Sequence, residues 1–143
     1  MRMGRLSYLL DSNMLSEPSR PHPNVHVQSR LLAHRHAVCT AALVLHEMCY
    51  GLARMPDGRR KQALTHYLEQ VVHQRLTILP YDREAALWHA EERARLAAQG
   101  RTPPFIDGQI AAIAMVNRLT LVTRNINDFA DFVDLTVENW FEA

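Results

Sequence analysis

Four short, mostly apolar runs recur along the chain, Leu6–Leu10, Ala37–Thr40, Leu76–Leu79 and Leu119–Thr123, and longer stretches of helical periodicity separate them. A half-wet strand alternates apolar and polar residues, whereas these runs do not, so each expects cover on both faces. Strands alternating with helices predict an α/β fold, a three-layer α/β/α sandwich around a central, mainly parallel sheet. Leu135–Val137 adds a last short strand. A chain of 143 residues, 48% of them hydrophobic, can bury a real core but not two, so one domain over residues 1–143 is expected.

The helices follow from periodicity and punctuation. Pro18, Pro21 and Pro23 mark a loop, after which Val25, Leu31 and Leu32 give an amphipathic helix to about His36. Leu43, Leu45, Met48, Leu52 and Met55 space a helix over 41–55, ended by Pro56-Asp57-Gly58. A single helix is predicted from Arg59 to His73, with Leu64, Tyr67, Leu68, Val71 and Val72 on one face. Asp82 is placed as the N-cap of a helix running to Ala98, with Gly100 as its stop, and Pro103-Pro104 precede a helix over Ile106–Asn117.

Composition excludes more than it selects. Sixteen basic against fifteen acidic residues give a net charge of +1, which names no partner, although Lys61 is the only lysine. Arginine's planar fork suits phosphate, and G- and C-rich codon usage also favours it. Cys39 and Cys49 have no metal-ligand spacing and fall in apolar segments, as expected of free thiols in a reducing cytoplasm. No apolar run approaches the roughly eighteen residues of a membrane span. The basic start is interrupted by Asp11 too early for a signal peptide, so an unprocessed cytoplasmic chain is expected. His22 and His26 are four apart, but Pro23 breaks the helix that would align them and no third ligand completes a zinc site.

The acids carry the functional signal. Asp11 closes the first apolar run, Glu47 and Asp107 sit in apolar helical stretches, and Asp128 follows the run that ends at Thr123. Each alone has an ordinary reading: Asp11 caps a turn, Asp107 complements a helix dipole, Glu47 lies on a wet flank, Asp128 solvates a loop. Together, carboxylates aimed at a core from distant segments point to a shared cation, because burying them unpaired is costly. Ligands in open α/β sheets collect beyond the carboxyl ends of strands, where Asp11, Asn13, Thr123, Arg124 and Asn125 fall.

Leu9-Leu10-Asp11-Ser12-Asn13 with Leu15-Ser16-Glu17, Thr40 through Gly51 with Glu47 at its centre, Phe105-Ile-Asp107-Gly-Gln-Ile through Ala114, and Leu121-Val-Thr-Arg-Asn125-Ile-Asn-Asp128-Phe129 occur in order. These segments, spanning almost the whole chain, resemble the PIN-domain ribonucleases, in particular VapC-type toxins of the plasmid-stability and FitB-like branch. The resemblance implies a Mg²⁺- or Mn²⁺-dependent endoribonuclease, the toxin of a type II toxin–antitoxin pair. It implies Asp11 and Asp107 as metal ligands, Glu47 as a third acid, and either Asn125 or Asp128 at a fourth position. Asn125 can orient water or phosphate but brings no charge.

Asn13, Arg124 and Asn125 are candidates to bind substrate or orient water, and Arg59, Arg60, Arg101 and Arg118 are candidate RNA contacts. Implied partners are RNA, a cognate antitoxin and a second copy in a homodimer, with DNA reached only through the antitoxin and no membrane. Leu31, Leu32, Leu64, Leu68 and Val72 are candidates for an antitoxin groove. Two other functions remain open: a PIN-like module that only binds protein or RNA, and a phosphoacceptor signalling domain. The latter would want a lysine after a late strand, whereas Lys61 lies in a predicted helix.

Overall fold

A computed structural model describes residues 5–143, so the first four residues of the basic start lie outside the described range. Five strands, β1 (Tyr8–Leu10), β2 (Val38–Ala41), β3 (Thr77–Leu79), β4 (Thr120–Val122) and β5 (Val137–Glu138), form one sheet in the order β3-β2-β1-β4-β5. Every pairing is parallel, with Leu9 opposite Cys39 on one side and Leu121 on the other. The four residues of β2 are all buried, as the lack of alternation requires.

Six α-helices connect the strands: α1 (Ser12–Ser16), α2 (Val25–Ala33), α3 (Ala42–Arg54), α4 (Arg59–Tyr67), α5 (Arg83–Ala98) and α6 (Phe105–Val116). The chain steps outward from β1 to β3, then crosses back over β1 to β4. Right-handed crossovers in opposite directions lay helices on opposite faces, giving the expected three layers. The reversal leaves a crevice between the carboxyl ends of β1 and β4, the place where such sheets hold ligands. Helix α6, buried at Gly108 and from Ile110 through Ala114, runs through the core and brings its first turn there.

Several local expectations need correction. The polar residues after β1 form α1 rather than an open turn: Asp11 is its N-cap, accepting from the Ser12 N–H, and Met14 and Leu15 are buried beneath it. In α2 the buried residue is Val27, while Val25 and Leu32 are 68% and 65% exposed, so the apolar stripe is rotated from the expected one. The helix expected to reach His73 changes after Tyr67 into a wider π-helical turn over Leu68–His73, which keeps Leu68 and Val72 buried. Cys39 is buried but Cys49 is exposed, and the last strand is shifted to Val137–Glu138.

Asp82 caps α5 through the Ala85 N–H, and Gly100 stops it with a positive φ of 75°, both as predicted. Among the described residues, no helix is long and apolar enough to cross a membrane.

Candidate functional site

The crevice at the reversal is built around Asp11, only 7% exposed. Its backbone N–H donates to the Val122 carbonyl at 3.0 Å, which ties the ends of β1 and β4 together. One carboxylate oxygen accepts from the Ser12 N–H at 2.8 Å, and the other accepts from the Thr123 hydroxyl at 2.8 Å. The Thr123 oxygen in turn accepts from the Asn13 amide at 3.2 Å and the Asn125 N–H at 3.1 Å. With both acceptor sites of that oxygen filled, its proton is committed to Asp11. Hydrogen bonds to a charged group are worth about 1.5–3 kcal/mol, enough to fix a carboxylate that burial disfavours.

Thr123 is fully buried. Sequence pattern places it at a strand end but gives it no role. Its function depends on a partner 112 residues away, which no local pattern signals. Asn13 also accepts from the Arg124 N–H at 2.9 Å, so Asn13, Thr123, Arg124 and Asn125 form one hydrogen-bonded bracket around Asp11.

The other acids lie within electrostatic reach of Asp11 and of one another. Burial raises Asp11 above the usual carboxylate range, opposed by the Ser12 and Thr123 hydrogen bonds and reinforced by the charge of Asp128. Burial pushes Asp107 up to about 6, with Asp128 and then Asp11 adding to it. Glu47 is raised by burial, then by Asp11 and Asp107, and is lowered by neighbouring His46. Carboxylates from the end of β1, from α3, from α6 and from the loop after β4 therefore share one field.

Among the described residues no three of them close into a ready-made ligand cage. Such an open group of hard oxygen donors suits an ion that keeps several waters and takes substrate oxygens as further ligands. Mutual repulsion would be relieved by a divalent cation, so the residues present fit Mg²⁺ or Mn²⁺.

Raised carboxyl groups make a stability prediction with a definite sign. Asp107 holds its proton in the folded chain to about pH 6 but releases it near 3.8 when unfolded. Its contribution to stability is therefore complete below 3.8 and is lost as pH rises through about 6. In chelator, the thermal midpoint should fall across that interval, and Mg²⁺ should restore it at neutral pH. Glu92, lowered first by its hydrogen bond from Arg95, contributes the opposite slope. Comparison with Asp107→Asn isolates the Asp107 part, and an unchanged slope in that variant would contradict the shared field.

Not every sequence candidate reaches the crevice. Arg60 donates to the Ser19 carbonyl, Arg101 pairs with Asp131, and Arg118, at φ 57°, sits in the turn entering β4, at the remote end of that strand. His46 is exposed and stacks on Tyr50. Of the residues expected to make a groove, Leu64, Leu68 and Val72 belong to the core and Leu32 is isolated in solvent. Leu31 alone lines the apolar cleft that does exist, about 380 Å³ in volume, together with Met14, Leu15, Tyr67, Val71 and Leu76. The π-helical turn shapes one wall of it, and Arg35 and Arg75 stand on its rim.

Several known proteins are similar to this chain. The toxin FitB of Neisseria gonorrhoeae is 35% identical over 127 residues, covering 85% of this chain and 89% of the relative. Ribonuclease VapC2 of Rickettsia felis is 28% identical over 134 residues, covering 93% and 97%. The structure of FitAB bound to an IR36 DNA fragment superposes with a TM-score of 0.84 at 32% identity, covering 95% of this chain and 96% of that one. The pattern of the PIN domain matches residues 8–134, an interval that holds the whole acidic group and nearly the whole sheet, and the chain belongs to the PIN domain family.

Proposed function

We propose that this chain is a metal-dependent endoribonuclease, the toxin of a type II toxin–antitoxin pair acting in the cytoplasm. The observation that carries this reading is Asp11, buried at the reversal point of the sheet and held there by Ser12 and Thr123, with Glu47, Asp107 and Asp128 within electrostatic reach of this group. Relatives named as a toxin and as a ribonuclease support it.

Asp11 and Asp107 would hold Mg²⁺ or Mn²⁺, with Glu47 orienting the ion's waters. Asp128 takes the fourth acidic position in preference to Asn125, since its charge acts on both Asp11 and Asp107. When bound, the ion supplies a water acidified toward neutral pH and a positive charge against the leaving oxygen. Thr123 and the Ser12 N–H hold the Asp11 carboxylate in one orientation, and Asn125, whose N–H donates to Thr123, would direct a water or a phosphate oxygen. Arg124, anchored through its N–H on Asn13, offers its cation to the RNA backbone.

Purified, antitoxin-free protein should cleave RNA with Mg²⁺ or Mn²⁺ and stop on adding chelator. Protein that binds RNA with either ion yet leaves it intact would instead be a binding module.

The apolar cleft between α1, α2 and the π-helical turn is the proposed seat of the antitoxin, as an amphipathic helix laid into a groove. The FitAB–DNA structure supports a protein partner through which the chain reaches DNA, and the toxin is proposed to act as a homodimer. Leu31→Glu and Val71→Arg place charges in the cleft and should weaken antitoxin binding by at least about tenfold, the scale of a hot-spot loss. RNA cleavage by the free variants should be unchanged, measured with the same substrate. Full neutralisation of both variants by antitoxin would move the docking site elsewhere.

A further inference from the structure

Beside the acidic group, the loop after β4 and the end of the chain enclose a second, polar cleft of about 390 Å³. Arg124, Asn127 and Asp128 line one side and Asn139 and Glu142 the other, with Ile126, 40% exposed, giving the cleft apolar surface. Asp128 belongs to both places, so on the nuclease reading an occupant of this cleft would lie next to the cleaved phosphodiester.

Two of the lining residues, Arg124 and Asn139, are held in place. The Arg124 guanidinium lies 4.6 Å over the Phe141 ring, and the Arg124 N–H is held by Asn13. Asn139 accepts from the Phe141 N–H at 2.8 Å through its side-chain oxygen, and its own carbonyl accepts from Arg30 at 3.3 Å. That use of the oxygen leaves the Asn139 amino group as a donor toward the cleft. Trp140 is held by its indole N–H to Glu138.

The chemistry of the lining selects an occupant. Asp128 and Glu142 would repel a phosphate, and Arg124 alone balances only one of them. A neutral planar group that accepts from amides and donates to carboxylates satisfies the lining instead, with Ile126 against its face. A nucleobase has this character along its Watson–Crick edge, and that edge is free only in an unpaired nucleotide. A carboxylate acceptor favours bases bearing an exocyclic amino group over uracil.

We infer that this cleft, bounded by Arg124, Asn127, Asn139 and Glu142, is a base-recognition subsite for one unpaired nucleotide flanking the cleaved phosphodiester, selective for an amino-bearing base. The inference rests on the nuclease reading above. Its test is cleavage of a random-sequence RNA library with Mg²⁺, followed by sequencing of the cut ends, for wild type, Glu142→Gln and Asn127→Ala. Both substituted residues are exposed, so folding is preserved.

Wild type should prefer adenine, cytosine or guanine over uracil at one position beside the cut, and each variant should flatten that preference by about five- to tenfold. Unchanged preferences in both variants, or a wild type indifferent to the bases on either side of the cut, would overturn the subsite while leaving the nuclease in place. A wild type that leaves the whole library intact would overturn the nuclease reading and the subsite together.

Discussion

Asp11→Asn and Asp107→Asn should each lower RNA cleavage by at least about a hundredfold, because even groups that merely orient metal ligands are typically worth about 10- to 100-fold. The two variants should part company in stability, and the reason is local. Asp107 is half-buried and raised to about 6 by burial, Asp128 and Asp11, so replacing its charge removes repulsion and should raise the thermal midpoint in chelator. Asp11 receives the Thr123 proton, and the Thr123 oxygen already accepts two hydrogen bonds. Asparagine at position 11 can keep the Ser12 or the Thr123 interaction with its oxygen, but its amino group cannot serve the other. It should therefore lose the midpoint gain expected at position 107. Cleavage at the wild-type rate by either variant, measured with Mg²⁺ on the same RNA, would remove the metal-site assignment.

Most of the sheet was legible in the sequence because it depends on short-range pattern, and Asp11, Glu47 and Asp107 could be named as candidates from their places at a strand end and in apolar helical stretches. Non-alternating runs gave the largely buried strands β1, β2 and β4, whereas the run at β3 lies on the sheet edge and is partly exposed, and Asp82 and Gly100 bounded α5 by chemistry that needs no distant partner. Features depending on phase or long-range contact were not legible. The Asp-Ser-Asn after β1 suits a turn and a helix cap equally, and burial of Met14 and Leu15 decides for the helix. The apolar stripe of α2 turns on whether Val25 or Val27 faces inward, a choice made by what α2 packs against. The π-helical turn at Leu68–His73 adds a residue to the helical repeat without any sequence mark, and Tyr67 and Val71 line the apolar cleft beside it. The sequence also left the choice between Asn125 and Asp128 open, because the reach of the Asp128 charge to Asp107 depends on how the loop after β4 folds.

Gly108→Ala is the substitution expected to cost most stability for the least change in chemistry. A Cβ at position 108 would lie 2.2 Å from Nε2 of His89 and 2.7 Å from its Cδ2, far inside van der Waals contact. The ring has little room to yield: His89 is 4% exposed, its Nδ1 meets the Tyr81 hydroxyl at 3.2 Å, and Phe105 packs on it at 4.9 Å between centroids. Alanine favours a helix interior over glycine by up to about 1 kcal/mol, whereas overpacking a tight contact costs about 1–3 kcal/mol, so the clash should win. Relief requires α6 to move away from α5, and the residue carried with it is Asp107. Cleavage should fall along with the urea midpoint even though no acid has been touched. Adding His89→Ala to Gly108→Ala removes the opposing atoms, so the double variant should be more stable than the sum of the single losses, with a coupling of about 0.5–3 kcal/mol in urea denaturation. Additive losses, or a Gly108→Ala protein as stable as wild type, would mean that the α5–α6 contact does not set where Asp107 stands.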